Sequence, residues 1–455
     1  MIPTLWSSVE ALDIIKLDEN EGSDFQGPFN ILFPESKDAR DAILSVANLQ
    51  ETFQGPLNVV MSEMNEVIVI RNMIILLIFY FEEDPAKAAE YALHAWYSLL
   101  ITEPCYELLK KIGSVLQGVY DEIRREAGDD FALATKRLRY CKGSIDITLP
   151  RIWFRSLFLF TSLHGFKYTM LRSNFQSLRR KVLSTPVATE FFESTLVPLE
   201  PYRRVSETKF REDGMLLPFG QSREDFVVPN PLLTNSSVCV MADIFSSCWP
   251  LSGWSNKSFH GYSPGPPEND QYGKLNHYLR GIFIQFHRRI RSIPVNVSIF
   301  GTDQWTLAPS LEEGRFNRIY SIHFASSRCT DNHSQLKPIA PLLQPASVNR
   351  HATFITLTFY TSDGAVIDDK GIHNITSIKG GEASFNKFLE EFKVKKLADD
   401  IGLYIKNRNT ILETWRNAIG DAAGANKSNN TEDQRIHFKF VEWRTARDKV
   451  EESSV

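Results

Sequence analysis

The sequence predicts an α/β protein, a degenerate Rossmann-like (methyltransferase-like) parallel sheet carrying a large helical insertion. One observation is a late series of apolar, β-branched runs: VNVSIF at 295–300, then GRFNRIYSIHF, then HATFITLTFY. They are separated by an acidic turn at Asp303, a Leu-Ala-Pro turn and a crossover of helical length. Runs that are apolar throughout, rather than alternating, are strands covered on both faces, as in parallel sheets. The second observation lies far earlier in the chain, where FNILF (29–33) and PLNVVMSE (56–63) bracket a turn and an amphipathic helix with Ala39, Ile43 and Val46 on one face. A third is position: Glu63 follows the second strand, where nucleotide folds place the acid that takes ribose hydroxyls.

The first turn breaks the pattern. Folds of this kind need glycines there so that the backbone approaches the ligand, and the residues present are Pro34, Glu35, Ser36 and Lys37. The fold is expected to persist without its usual cofactor cradle, so no cofactor is assigned. After Glu63, VIVIRNMIILLIFYF (67–81) is too short for a span of roughly 20 residues and contains Arg71 and Asn72, so it is expected as a buried helix.

Between the half-sheets the sequence turns helical. AKAAEYALHAWYSLL (86–100) and CYELLKKIGSVLQGVYDEIRREA (105–127) carry apolar residues at helical spacing, and RIWFRSLFLF and YTMLRSNFQSLRRKVL add two more elements. From 198 to 270 proline, glycine, serine and asparagine accumulate, predicting long loops with short strands such as SVCVMADIF. The helix at 272–292 returns the chain to the sheet, with Leu275, Tyr278, Leu279, Ile282, Phe286 and Ile290 as its apolar stripe. Helices are expected at about 384–398 and 408–419, then a polar linker and a last strand-like piece, HFKFVEWR. The resulting organisation is a first half-sheet (1–85), a helical and loop-rich insertion (86–270), a second half-sheet (271–419) and a polar tail (420–455).

Composition narrows the classes. Of 455 residues 43% are hydrophobic and 23% charged, the balance of a soluble globular chain, and the net charge of −4 gives no global attraction to nucleic acid. Any polyanion site must be local. Cysteines at 105, 141, 239, 248 and 329 show neither metal-ligand spacing nor an even framework, which predicts no metal site and a reducing, cytoplasmic setting. The N-terminus lacks a basic segment followed by an apolar stretch, so no signal peptide is expected. No Gly-x-Ser-x-Gly elbow is present, and no histidine stands at HxxxH spacing, so covalent acyl transfer has no sequence support.

An ordered set of phrases resembles a fungal domain of unknown function that is often followed by a MYND zinc finger and is shared with axonemal dynein preassembly factors. The phrases are NEGSDFQGPFNILFPESKDARDAIL, GPLNVV, IVIRNMIILL, NDQYGKLNHYLR, VNVSIFGTDQWTLAP, GRFNRIYSIHF and PLLQPASVNRHATFITL. Relatives carry a turn like Ala-Ser-Gly-Asp where this chain has Glu35-Ser36-Lys37-Asp38, and the cysteine-rich finger is absent. The chain is thus similar to stand-alone members that resemble arginine-containing cyclodipeptide synthases.

That resemblance implies joining arginine and a second amino acid, delivered on aminoacyl-tRNAs including arginyl-tRNA, into a diketopiperazine. It also implies an Asp-x-x-Glu pair, found here as Asp18–Glu21 before the first strand and as Asp448–Glu451 in the tail; Asp18 and Glu21 are the expected catalytic pair. A carboxylate suits this chemistry because it accepts bidentate bonds from guanidinium and acts as a base where its surroundings raise its pKa. The bland alternative is a solvated acidic loop. Glu63 and Asp303 are the expected substrate-binding residues, although Asp303 also suits a turn or helix cap. Transfer RNA needs local cations, and Arg179, Arg180 and Lys181, with Arg288 and Arg289, supply two clusters, which arginine-bearing amphipathic helices also produce for solubility alone. A methyltransferase and a non-catalytic assembly protein stay open as other readings, because fold does not fix function.

Overall fold

The computed structural model describes residues 9–126, 128–161, 183–197, 199–234, 250–255, 269–325, 336–361, 398–406, 408–412 and 436–445, with a few isolated positions between them. At its centre is a nine-stranded sheet. In chain order its strands are β1 (Phe29–Phe33), β2 (Leu57–Ser62), β4 (Leu133–Tyr140), β5 (Gly143–Pro150), β7 (Val295–Phe300), β8 (Arg318–Ala325), β9 (Thr353–Thr361), β10 (Leu403–Ile405) and β11 (Ile436–Thr445). A separate antiparallel pair joins β3 (Leu100–Thr102) to β6 (Phe226–Pro229).

Across the sheet the order is β10-β11-β9-β8-β1-β2-β7-β5-β4. Strands β9, β8, β1, β2, β7 and β5 are mutually parallel, β11 runs against β9 and β10, and β4 runs against β5. With the β4–β5 hairpin set aside, the strands from β7 across to β10 read third, second, first, fourth, fifth, seventh, sixth in chain order, with the seventh reversed. This is the Rossmann-like sheet in its methyltransferase-like arrangement.

The strand sequences account for this placement. Phe29, Ile31 and Phe33 of β1 and Leu57, Val59 and Met61 of β2 enter the larger core, and Leu32 and Val60 point to a second core with Phe316, Ile319, Phe354 and Trp443. Both faces are covered, so period-two alternation disappears into continuous apolar runs. Near the amino end the second face carries a polar ladder: Asn58 Nδ2 donates to Asn30 Oδ1 (2.8 Å), and Asn296 Nδ2 donates to Asn58 Oδ1 (3.0 Å). The register Asn30–Asn58–Asn296 places these amides side by side.

Helices α1 (Arg40–Ala47), α2 (Glu66–Phe81), α3 (Pro85–Tyr97) and α4 (Glu103–Arg125) follow β1 to β3. The run at 67–81 is the buried helix expected: α2 is capped by Asn65, whose side chain accepts from the Val67 and Ile68 amides, and residues 68–80 are buried. The insertion continues with α5 (Phe154–Leu159), α6 (Pro186–Leu196), α7 (Pro201–Asp213) and α8 (Pro231–Thr234), and α9 (Gln271–Ser292) leads back to β7, packing on α3 and α1. A short α10 (Gln304–Leu307) follows β7.

The segment expected as helix and loop also supplies a sheet hairpin. In LATKRLRY the cations Lys136, Arg137 and Arg139 occupy an edge strand with one long side in water, which hides the strand from an apolar-run criterion. At the hairpin turn Gly143 is obligatory, since a Cβ there would collide with the Val295 carbonyl. The C-terminal piece, placed in the polar tail, is β11, paired along its length with β9. Of the helix expected over 408–419 only residues 408–412 are described, and these are not helical. The amides of Thr410, Ile411 and Leu412 instead donate to the Glu442 carboxylate at 3.0, 2.8 and 2.8 Å. The expected strand at 237–245, and most of the expected helices at 168–183 and 384–398, lie outside the described residues.

Candidate functional site at the carboxyl edge of the sheet

The chain leaves β1 toward β2 and β7 on one side and later returns to β8 and β9 on the other, so the topological switch point lies between β1 and β8. In open α/β sheets the crevice at this point, beyond the carboxyl ends of the strands, is the usual ligand site. Here the turn 34–39 folds over it, with the Ser36 amide donating to the Ser62 carbonyl (2.8 Å). In place of a glycine cradle the site holds Arg40, a buried guanidinium whose Nε donates to Asp38 Oδ2 (2.8 Å) and whose Nη2 donates to the Val9 carbonyl (3.2 Å). Gly253 admits that guanidinium, because a Cβ at 253 would run into it, and Trp254 lies 5.6 Å beneath. The cavity left among Phe33, Ser36, Lys37, Asp41 and Tyr320 has room for about one water molecule.

Burial dominates the electrostatics. It pushes the Asp41 carboxyl up to about 7, with Asp38 adding to the rise and the Leu12 amide opposing it. Burial alone would lower the Arg40 pKa, but Asp38 reverses this and raises it. The Tyr320 phenol is held well above its ordinary range by burial, and its hydroxyl has no hydrogen-bond partner.

Glu63 stands beside this turn. Its amide donates to the Phe300 carbonyl (3.1 Å), fixing it between the ends of β2 and β7, and its Oε1 accepts from the Asn65 amide (2.9 Å). Its Oε2 has no hydrogen-bond partner; the nearest cation, Lys37 Nζ, is 4.0 Å away. Ser62 Oγ is likewise buried and unpartnered. Buried polar atoms are nearly always satisfied, so a group of such atoms at one sheet edge calls for an explanation. A carboxylate with one open oxygen beside an ammonium can accept a donor from a ligand and hold or pass a proton. Asp303, at the end of β7, caps α10 by accepting from the Thr306 amide (2.8 Å).

Asp18 and Glu21 lie elsewhere. Glu21 grips Arg318, the first residue of β8, through two bonds of 2.8 and 2.7 Å, and also accepts from Asn349 Nδ2 (3.0 Å). Arg318 donates further to the carbonyls of Ile14, Ile15, Asn317 and His351. This cluster sits at the amino ends of β8 and β9, the edge opposite Glu63, and its side chains are 4% and 0% exposed. The bidentate capacity of Glu21 is thus engaged by the chain's own guanidinium, and Asp18 is exposed. Asp448, Glu451 and Arg179 lie outside the described residues. Arg180, Lys181 and Arg288 are exposed, but Arg289 is buried and donates to the Phe53 carbonyl (2.8 Å), so it presents no charge to a polyanion. Trp254 and Phe259 of the aromatic-rich loop are buried, and Trp254 Nε1 donates to the Tyr97 hydroxyl (3.1 Å).

Lys37 comes within 4.0 Å of Glu63, and Tyr320 lines the small cavity with Lys37, only through the fold. The one sequence signal for them was position at a strand end. Among the described residues, no group of three or more His, Cys, Asp or Glu side chains could hold a metal ion, and no helix is long and apolar enough to cross a membrane.

Residues 5–101 match the family model of a domain of unknown function, DUF4470. No curated protein and no solved structure matches the chain. The matched span runs through β1 and β2 into β3, so it contains Glu21, the 34–39 turn and Glu63 but neither Arg318 nor Tyr320.

Proposed function

We propose that this protein is a cyclodipeptide synthase, joining arginine and a second amino acid from aminoacyl-tRNAs, with its chemistry at the carboxyl edge around Glu63. The observation that carries the placement is the buried Glu63 carboxylate, with one oxygen lacking a hydrogen-bond partner and 4.0 Å from Lys37 Nζ. The substrate class rests on the resemblance carried by the sequence phrases described above.

In this reaction the α-amine of one aminoacyl group attacks the ester carbonyl of the other. A C–N bond forms, the ester C–O bond to ribose breaks, the amine loses a proton and the ribose oxygen gains one. The second amine repeats the attack and closes the ring. Glu63 takes the amine proton and Lys37 returns one to the leaving oxygen.

The test is mass spectrometry of small molecules from a host expressing the wild-type chain, Glu63→Gln, Asp18→Asn or Glu21→Gln. An arginine-containing cyclic dipeptide is expected from wild type and from Asp18→Asn, lost with Glu63→Gln, and reduced with Glu21→Gln in proportion to folded protein. No product from wild type defeats the reading. A product that survives Glu63→Gln moves the chemistry away from this edge.

The strand order favours one other reading, an S-adenosylmethionine-dependent methyltransferase in which Glu63 takes the ribose hydroxyls. Calorimetric titration with S-adenosylmethionine separates the two, since saturable heat lost in Glu63→Gln would support the methyltransferase.

A further inference from the structure

Strand β4 ends the nine-stranded sheet, and among the described residues no strand pairs with its far side. In an antiparallel pair, residues bonded to the neighbour alternate with residues whose N–H and C=O point away. Close side-chain contacts mark the second kind: Thr135 Oγ1 lies 2.9 Å from Thr148 Oγ1, and Arg137 donates to Asp146 through two bonds of 2.6 Å. The backbone groups of Thr135 and Arg137, and by the same alternation those of Leu133 and Arg139, therefore face outwards. All four side chains are exposed.

Such an edge is a template for another strand unless charge guards it. Here the central cations are neutralised within the chain, Arg137 by Asp146 and Lys136 by Glu126 (2.7 Å) and Glu122 (3.5 Å). The exposed charges that flank them are segregated by sign, with Asp129 and Asp130 before β4 and Arg139 and Lys142 at its far end. The acidic end also carries apolar surface. Phe131 is 79% exposed, and Leu133 and Ile152 are 44% exposed, with the Ile152 amide tied to the Asp130 carbonyl (2.9 Å).

A strand that is acidic at one end and basic at the other is complementary to itself when one copy is reversed. Parallel pairing would set like charges together, and a uniformly acidic peptide would meet Asp129 and Asp130. We propose that β4 pairs antiparallel with β4 of a second copy about a two-fold axis, continuing the sheet across a dimer. With the axis near Lys136, Thr135 faces the second copy's Arg137 and Leu133 faces its Arg139. The aliphatic stem of that arginine covers Leu133 and Phe131, and its charge approaches the acidic end. The contact is independent of the chemistry assigned to Glu63.

The experiment is sedimentation velocity of the full chain. One strand pair with a small apolar patch is a weak interface, so a reversible dimer is expected to form over about 1–100 µM. Thr135→Pro removes an outward N–H without touching a bond to β5 and abolishes the dimer, with circular dichroism confirming the fold. If that variant does not fold, two charge changes at exposed positions carry the test. Arg139→Glu and Asp130→Lys each weaken the dimer about tenfold, because each removes the attraction at both ends. Mixed together, the two variants associate more tightly than either does alone, since one end of the mixed dimer regains its wild-type pairing. A monomer throughout the range overturns the proposal and leaves the edge to a strand of another protein. A dimer unmoved by Thr135→Pro, or a mixture no tighter than its separate components, overturns it as well.

Discussion

Glu21→Gln decides whether the Asp18–Glu21 segment holds the fold or performs chemistry. In the wild type, the carboxylate and the Arg318 guanidinium meet through two bonds, with both side chains out of solvent. Glutamine offers one carbonyl oxygen, and its amide hydrogens oppose a guanidinium N–H, so one charge-assisted bond is lost and a cation is left buried without its counter-charge. Removing one partner of a buried pair costs about 3–5 kcal/mol. Four backbone carbonyls still accept from Arg318, which sets the expectation near the lower end, about 3 kcal/mol. With a urea dependence of about 3 kcal/mol per molar, the unfolding midpoint falls by about 1 M. Asp18→Asn, at an exposed position, changes stability by less than about 0.5 kcal/mol. Tryptophan fluorescence in urea reads both variants. A double-mutant cycle with Arg318→Met should show favourable coupling, because removing both partners leaves no buried charge. A wild-type midpoint for Glu21→Gln, or coupling within about 0.5 kcal/mol of zero, would refute the structural role.

Glu442 is fully buried, accepting from three consecutive amides and lying 3.2 Å from Lys406 Nζ. Glu442→Gln should cost about 3 kcal/mol and speed hydrogen exchange at Thr410, Ile411 and Leu412, which exchange mass spectrometry reads directly. Burial pushes the Glu207 carboxyl up to about 7, only partly offset by the bond from Tyr272 and the charge of Arg203. Its folded pKa lies above the unfolded value, so its stabilising contribution is complete below about 4.5 and is lost as pH rises through about 7. Glu207→Gln, which keeps an acceptor for Tyr272, should gain stability relative to wild type between pH 5 and 8, on the order of 3 kcal/mol, and a flat difference in denaturation midpoints would contradict this. Glu63→Gln should leave thermal stability unchanged or raised while removing product, since the lost carboxylate oxygen has no hydrogen-bond partner in the fold. A large drop in melting temperature would assign Glu63 to the framework instead.

The half-sheets were legible because their strands are rich in apolar, β-branched residues and end in recognisable turns: β1, β2, β7 and β9 all declare themselves this way. The β4–β5 hairpin was not, since its outer strand is charged and its inner strand alternates. HFKFVEWR was readable as a strand but not as the reversed neighbour of β9, because pairing across the intervening residues leaves no local trace. Glu63 was found from its place after a strand. The role of Glu21 was hidden because its partner is 297 residues away, although a lone arginine opening an otherwise apolar strand signals that some acid must meet it. Arg289 misled for a related reason, since a helix face rich in arginine looks solvated until one side chain is seen capping a carbonyl on another element.

The two edges of the sheet use charge in opposite ways, and this contrast bears on where function resides. At the amino edge Glu21, Arg318, Lys406 and Glu442 are matched, with carboxylate oxygens receiving amides, a guanidinium or an ammonium. These contacts hold residues 14–21, β8, β9 and β11 in one arrangement. At the carboxyl edge Ser62 Oγ and Glu63 Oε2 are buried and unpartnered, as is Tyr320 Oη in the cavity beside Arg40 and Asp38. Buried atoms without a hydrogen-bond partner occur at the amino edge too, as at Asn20 Oδ1 and Gln344 Oε1, so what sets Glu63 apart is that its open carboxylate oxygen faces a lysine at a strand end. That strand end is at the edge where topology opens an α/β sheet to ligands. Polar atoms held in reserve there are best explained by a ligand that completes them.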